Sequence, residues 1–468
     1  MQLLQAFQIR DKEVVSFVGG GGKTTAMFRL AEELVAQGKR VVTTTTTRIF
    51  ASQIQLAPYH IFAESNAQAI RDPRSAIREH PHVLVIGATN QEGKAFGVDT
   101  TLIDELSALD EIDVVLVEAD GSRMRPFKAP AEHEPVIPSS TTLLVPVVGM
   151  DVLGRPLDEK HVHRAEIVST LANIPLGTVL QIEHIARVLA DARGGLKNKP
   201  MNVRVIPLIN KVENKELLLN ARVLADELLK YEGINAVAIG AVKMTQPPTS
   251  NLQLPTSNFQ SPVSFLVSRI PAILLAAGGS TRMRGEVKQL LPWGETTIVG
   301  NAVNVAKQSR VSEIVVVTGN RAAEVEREIG ETGKQVRVVH NPDWATGRAS
   351  SVRAGIHALG ETVAGAIFIN ADQPFLTPQV IDTILEKFFE TRAPIIVPTY
   401  EGKTGSPVLF ARELFGELNA LQGEEGGRDV LQKYREVLVK VEIADTRAGM
   451  DANTPEEYAR ARGMRDDG

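Results

Sequence analysis

The sequence predicts an α/β protein of two units, each a three-layer α/β/α arrangement with a parallel sheet covered by helices on both faces. Three observations predict it. At 468 residues the chain is longer than one core ordinarily supports, since cores stop growing at roughly 250–300 residues. Short β-branched runs alternate with stretches of helical apolar spacing, the pattern of sheets buried on both sides. Both halves open in the same order of strand, glycine loop and helix, and a stretch without apolar periodicity separates them.

In chain order, Val14-Val-Ser-Phe-Val18 reads as a buried strand that runs into four glycines, and Met27, Leu30, Ala31 and Leu34 recur behind it at helical spacing until Gly38. Val41 and Val42 begin the next strand. Further strands are predicted at 83–86, 114–117, 143–145 and 205–209, then at 272–275, 314–317, 366–369 and 395–397, with a helix over 380–389. Between the halves, residues 245–262 exchange the apolar pattern for Pro, Ser, Thr, Asn and Gln, a composition that cannot bury enough surface to order itself. The expected organisation is a unit over 1–244, a linker over 245–267 and a unit over 268–468. In open parallel sheets ligands bind at the carboxyl ends of strands, and the motifs below fall there.

Composition narrows the chemistry. A content of 43% hydrophobic and 23% charged residues is that of a soluble globular protein. No stretch approaches the roughly 18 apolar residues that span a bilayer, and the N-terminus lacks the pattern of a secretory signal, so a cytoplasmic location without membrane partners is expected. The absence of cysteine excludes disulfides, thiolate metal sites and cysteine nucleophiles. Any metal must sit on oxygen or imidazole. A net charge of −5 carries no basic footprint for nucleic acid and is compatible with small anionic ligands in local pockets.

In the second half, Leu275-Ala-Ala-Gly-Gly-Ser-Thr-Arg-Met283 follows a buried strand directly. Glycines let the backbone approach phosphate oxygens and aim successive N–H groups at them, so Ala276, Ala277, Gly278, Gly279 and Ser280 are candidate nucleotide contacts. Arg282 and Lys288 are candidates to add charge-assisted contacts at the reacting phosphates. Taken alone, Gly-Gly-Ser is also an ordinary tight turn. Asp372 in Asn370-Ala-Asp-Gln-Pro374 follows a strand at the ligand-binding edge and is a candidate Mg2+ ligand, with an Asx turn as the other reading. Asp451 and Asn453 alternate, which puts both on one face of an extended segment and makes them the next candidate ligands. Thr454-Pro also opens a helix, and both readings can hold. Gly347, Ser350 and Ser351 are candidates for base or ribose contacts, or else loop and helix-start residues.

These motifs, together with Lys288-Gln-Leu-Leu-Pro-Trp293, Asn341-Pro-Asp-Trp-Ala-Thr-Gly347, Gly405-Ser-Pro-Val-Leu-Phe410, Gly426-Gly-Arg428 and Asp451-Ala-Asn-Thr-Pro-Glu-Glu-Tyr458, run in unbroken order over about 272–458. They resemble the MobA-like nucleotidyltransferases that act on molybdenum cofactor. The likeness is greatest to the cytidylyltransferase (MocA-type) branch, where Leu-Ala-Ala-Gly stands in place of the guanylyltransferases' Leu-Ala-Gly-Gly. The resemblance implies a Rossmann-like fold of the nucleotide-diphospho-sugar transferase type, and transfer of CMP from CTP to molybdopterin with Mg2+ and release of pyrophosphate. Asn453 stands where relatives commonly carry a second aspartate. The lengthened Met283 to Lys288 spacing, Ser406 in place of a frequent histidine and Glu424-Glu-Gly in place of Gly-Asp-x-Gly depart from the pattern on what should be the acceptor side.

In the first half, Gly19-Gly-Gly-Gly-Lys-Thr-Thr25 lies between a strand and a helix, the context of a P-loop. Gly19, Gly20, Gly21, Gly22 and Thr25 are expected to cradle phosphates, Lys23 to reach the outer ones and Thr24 to ligate Mg2+. Phe17 occupies the position of the first Walker glycine, so the first turn of the loop must differ. The strand 114–117 ends in Glu118 and Asp120, candidate carboxylates for the metal shell. Asn210-Lys-Val-Glu213, with Asn210 and Lys211 as candidate contacts, is similar to an Asn-Lys-x-Asp base reader with Glu in place of Asp, and leaves ATP or GTP open. His133, between Glu132 and Glu134, reads as a surface histidine rather than a ligand. With Thr43-Thr-Thr-Thr-Thr-Arg48, Glu118-Ala-Asp-Gly-Ser-Arg123 and 128–138, these motifs resemble the selenium-dependent hydroxylase accessory proteins (YqeC-type) over about 13–245.

The combined expectation is a fused cofactor-maturation protein: a P-loop NTPase-like accessory unit joined to a molybdenum cofactor cytidylyltransferase, with an apo molybdenum hydroxylase of the xanthine dehydrogenase family as client. Transfer to another acceptor such as a sugar phosphate, or delivery of finished cofactor by a non-catalytic chaperone, are the alternatives.

Overall fold

The structure, a computed structural model, describes residues 1–63, 75–88, 94–243, 263–280, 282–283, 285–330, 336–360, 363–425 and 427–466. The chain divides into two compact units, Met1–Val267 and Ser268–Gly468. Most of the expected linker, 245–262, lies outside the described residues. Its last residues do not form a linker: Val263–Ser268 is a strand on the edge of the first unit's sheet. Leu266 and Val267 are its buried apolar side chains.

The first unit is built on β1 (Glu13–Gly19), α1 (Lys23–Ala36), β2 (Val41–Thr45), β3 (His60–Phe62), β4 (His82–Ile86), β5 (Val114–Glu118), β6 (Leu143–Gly149), β7 (Arg204–Val205), β8 (Leu208–Asn210), α2 (Lys215–Leu228), β9 (Ala236–Gly240) and β10 (Val263–Ser268). The sheet order is β10-β9-β8-β6-β1-β5-β2-β4-β3, with β7 beside β6. The pairings of β1 with β5 and β6, and of β2 with β4 and β5, are parallel. Side chains on both faces are therefore buried, which the uninterrupted Val-Val-Leu-Val of β5 satisfies. The strand expected over 205–209 is two short ones, β7 and β8, because Pro207 has no N–H to give the ladder. One core face is closed by α1, whose Met27, Phe28 and Leu30 pack with Phe7, Phe17 and Leu116. Each large apolar side chain so buried contributes about 1.5–3 kcal/mol.

The second unit contains β11 (Ala272–Leu275), α3 (Ile298–Gln308), β12 (Ile314–Thr318), β13 (Val336–His340), α4 (Arg348–His357), β14 (Gly365–Asn370), α5 (Pro378–Thr391), β15 (Ile395–Tyr400), β16 (Lys403–Thr404), β17 (Val408–Ala411), β18 (Val439–Glu442) and α6 (Pro455–Asp466). The order β13-β12-β11-β14-β17-β15-β16, with β18 beside β15, puts the first strand between the second and the fourth. That reversal is the switch point at which open α/β sheets bind ligands. The sheet is mixed rather than purely parallel, because β17 runs antiparallel to both β14 and β15. The chain reaches β17 by turning back through β16, without the helical crossover that a parallel strand requires. Helix α4 lies close against β11 because Gly355 has no side chain; a Cβ there would stand 2.5 Å from Ile273 Cγ2. Among the described residues no helix is long and apolar enough to cross a membrane.

Candidate functional sites

In the second unit the loop after β11 borders a cavity of about 490 Å3. Ala277, Gly278, Gly279, Ser280 and Arg282 line it, as do Lys288, Gly347, Ser351, Asp372, Asp451 and Asn453. Ala276 does not: it is fully buried and its N–H is spent on Val317 O. Ser350 does not either. It points into the turn, donating to Gly347 O (2.8 Å) and accepting from Asn341 Nδ2 (2.8 Å). The same Asn341 nitrogen holds the Ser351 hydroxyl at 3.1 Å on the cavity side. One helical step, 100° of rotation, separates brace from lining. Gly347 is required where it stands: at φ +115°, a Cβ would lie 2.2 Å from Gly423 O.

The reacting groups converge. Lys288 Nζ is hydrogen-bonded to Asp372 Oδ2 and lies 3.0 Å from Asn453 Oδ1. Its amide donates to Ser280 Oγ at 3.1 Å, and that hydroxyl donates to Gln289 Oε1, so the glycine loop positions the lysine directly. The other Asp372 oxygen is buried with no hydrogen-bond partner, an expensive condition for a carboxylate oxygen unless a cation or donor fills it. Burial, and then the neighbouring Asp372 charge, push the Asp451 carboxyl up to about 6, against the pull of Lys288 and Arg348. Among the described residues no three of His, Cys, Asp and Glu converge on one point. Two carboxylates and the Asn453 amide oxygen form an all-oxygen set that suits Mg2+, which keeps several waters and takes the rest of its shell from phosphates.

A second cavity of about 510 Å3 adjoins the first, and Leu275, Arg348, Asn370, Glu424, Arg428 and Asp451 border both. Its walls combine Phe368, Phe410, Leu418 and Leu431 with Thr404, Gly405 and Ser406. Ser406 and Glu424, which depart from the family pattern, therefore sit together on this side. Arg348 and Arg428 are lining residues that sequence reasoning passed over, and their position in the helix starts after two glycine turns was the available signal. Arg348 Nη2 donates to Asn370 Oδ1 at 2.5 Å, which aims it across the seam.

In the first unit the glycine loop joins β1 to α1 as expected, but its amides divide differently. Gly19 N donates to both Asp120 oxygens at 3.1 Å, Gly20 N to Val147 O at 2.9 Å and Gly21 N to Arg125 O at 3.0 Å. The first three glycines thus anchor the loop. Gly22 is the N-cap of α1, and the amides of Lys23, Thr24 and Thr25 in its first turn, which have no acceptor within the helix, are available to an anion. Lys23 Nζ donates to Gly19 O (2.6 Å) and pairs with Asp120 (3.2 Å) and Glu118 (3.7 Å). Thr24 Oγ1 donates to Glu118 Oε2 at 2.7 Å, so the hydroxyl and carboxylate expected in a metal shell are already together. Burial pushes the Glu118 carboxyl up, with Lys23 and Thr24 opposing.

Asp120 differs from the expectation of a metal ligand. It accepts from Gly19 N and lies between Lys23 and Lys128, the latter at 3.0 Å, and so braces the loop. Lys128 continues to Glu134 (2.6 Å), which Arg164 grips bidentately at 2.6 and 3.0 Å. Burial alone would raise the Glu134 carboxyl; the hydrogen bonds from Arg164 and Lys128 outweigh it and bring it to about 2. This chain of charges is not legible in the sequence, because Asp120, the segment from Lys128 to Glu134, and Arg164 meet only in the fold. Asn210 is 2% exposed and braces as well, donating from Nδ2 to Gly21 O (2.9 Å) and accepting from Val242 N at Oδ1 (2.8 Å). Lys211 is partly exposed at φ +61°, with Nζ 2.8 Å from Asp151 Oδ2. The His133 side chain is 79% exposed.

With the geometry in place, two family descriptions match the chain: a YqeC protein domain over residues 15–166 and a MobA-like NTP transferase domain over 272–437. The Escherichia coli (strain K12) "Uncharacterized protein YqeC" is 32% identical over 230 residues, which are 49% of this chain and 88% of that protein. The "Molybdenum cofactor cytidylyltransferase" of the same organism is 31% identical over 202 residues, 42% of this chain and 97% of that one. Among solved structures, the Rv0371c protein of Mycobacterium tuberculosis H37Rv is 27% identical with a TM-score of 0.37, covering 41% of this chain and 96% of its own.

Proposed function

The chain belongs to the YqeC family through its first unit and to the MobA-like NTP transferases, nucleotidyltransferases with a molybdenum cofactor-related role, through its second, and from that premise we propose that the second unit transfers CMP from CTP to molybdopterin. The observation that carries the reading is the meeting of Lys288, Asp372, Asp451 and Asn453 in a cavity that adjoins a second one, with Arg348 and Arg428 bordering both.

In the reaction an acceptor oxygen bonds to the α-phosphorus of CTP as the bond from that phosphorus to the bridging β-phosphate oxygen breaks, and pyrophosphate leaves. The amides of Gly278 to Ser280 hold the phosphates, and Arg282 and Lys288 stabilise the charge that develops on them. Asp372, Asp451 and Asn453 hold Mg2+, which when bound neutralises charge on the triphosphate. Ala277 and Ser351 face the nucleoside, and Ser406, Glu424, Arg348 and Arg428 face the acceptor. The first unit binds a nucleoside triphosphate at the first turn of α1, with Lys23 on its phosphates and Thr24 and Glu118 in a metal shell, and assists maturation of a molybdenum hydroxylase.

The test follows α-32P-labelled CTP with Mg2+ and molybdopterin. Label is expected to move onto the pterin product while pyrophosphate leaves unlabelled. Tight pterin binding with the label remaining in CTP, unchanged in Asp372→Ala, would mark a carrier rather than a transferase.

A further inference from the structure

Two neighbouring strand ends in the first unit meet the glycine loop. β8 and β9 are parallel partners, with Ile209 opposite Ile239, so residues 211–213 and 241–243 leave the sheet side by side at the edge where Gly22 caps α1. Three hydrogen bonds tie them: Asn210 Nδ2 to Gly21 O, Val242 N to Asn210 Oδ1, and Val212 N to Gly240 O at 3.0 Å. A Cβ on Gly22 would lie 2.5 Å from Asn210 Nδ2, so loop and strand end are in direct contact. One buried amide thus fixes the phosphate loop, β8 and the segment after β9 in a single frame, the kind of support that makes a binding site precise.

Just beyond that frame stands Glu213, 57% exposed, with Lys243 at 3.1 Å and 72% exposed. An ion pair this open contributes little to stability, so the fold has no need of the carboxylate at this spot. Lys211 follows Asn210 directly, its stem passing 3.2 Å from where a Cβ on Gly149 would be and its ammonium on Asp151. That stem is an apolar strip of the kind that covers the face of a ring. Asn210 Nδ2 carries a second hydrogen, a donor for an acceptor nitrogen.

We propose that the first unit is a guanine-nucleotide site in which Glu213 reads the base. The inference rests on the phosphate reading of the glycine loop given above and adds the base. Guanine is the common nucleobase whose pairing edge offers two adjacent donors, N1–H and the 2-amino group, to a carboxylate's two oxygens; adenine presents an acceptor at N1 and meets like lone pairs. A site that uses a ligand's N–H groups rejects analogues lacking them steeply.

The test measures equilibrium binding of GTP, ATP and xanthosine triphosphate to the full chain with Mg2+ and excess CTP, taking as signal the part lost in Lys23→Ala. GTP is expected to bind at least about 100-fold more tightly than ATP. Glu213→Gln should lose most of that preference and gain affinity for xanthosine triphosphate, whose 2-carbonyl accepts from the new amide, with an unchanged melting temperature. Equal Lys23-dependent binding of GTP and ATP, or a Glu213→Gln variant with the preference intact, overturns the guanine assignment and leaves the phosphate reading standing. No Lys23-dependent binding of any nucleotide overturns the phosphate reading itself.

Discussion

Asp372 is held on one oxygen by Lys288 and has the other buried without a partner, so its replacement separates charge stabilisation from folding. Asp372→Ala should lower kcat by roughly 10²–10³-fold, about 3–4 kcal/mol of transition-state stabilisation, in a steady-state pyrophosphate assay with the melting temperature maintained or raised. Retained activity would remove it from the metal site. Asp451 adds a pH signature. An acid whose folded value is raised from 3.8 to about 6 favours the protonated folded form, so without metal its contribution to stability falls as pH rises from about 4 to 6. Mg2+ must displace that proton, and the concentration for half-maximal activity should rise about tenfold per pH unit below 6; a flat dependence between pH 5 and 6 would contradict this. Asp372 and Lys288 are legible in the sequence because each lies in a contiguous motif. The bracing role of Asn210 is not, since its partner Val242 is 32 residues away, and Ser350 cannot be told from Ser351 until the start of α4 fixes the rotation.

At the scale of elements, the loop between β1 and α1 depends on Gly21. Its φ of +88° and the 2.2 Å that would separate a Cβ from Gly149 N leave no room for alanine. Gly21→Ala should destabilise the first unit by about 1–3 kcal/mol and abolish its nucleotide binding, while pyrophosphate release by the second unit persists. Loss of both activities would show that the units do not act independently. On β4, His82 is buried with Nε2 3.0 Å from Thr43 Oγ1 on β2, and burial pushes its imidazolium down to about 4. Because the folded value lies below the ordinary 6.5, the stability it contributes is present above pH 6.5 and lost as pH falls toward 4. His82→Gln should flatten that part of the melting profile. The β-branched runs announce β4, β5, β11, β12 and β14 plainly, since strands buried on both faces are apolar throughout. The split at Pro207 and the antiparallel β17 escape such reading, because local pattern fixes strand existence and long-range pairing fixes direction.

Across the whole molecule, two units of different family share one chain, and each carries a glycine loop at the carboxyl end of its first sheet strand. If both handle one cofactor or one client, joining them raises the effective concentration of each at the other's site. The division into halves is readable from composition, yet the last residues of the expected linker, from Val263 on, belong to a strand, in which Leu266 and Val267 are buried at the edge of the first unit's sheet. The central claim is the transfer of CMP to molybdopterin, and the most direct measurement is pyrophosphate release by the full chain with Mg2+ and each of the four triphosphates, with molybdopterin, with a sugar phosphate and with neither. Release with CTP that requires molybdopterin is the predicted result. Release driven by the sugar phosphate, by GTP in preference to CTP, or without dependence on molybdopterin would contradict it.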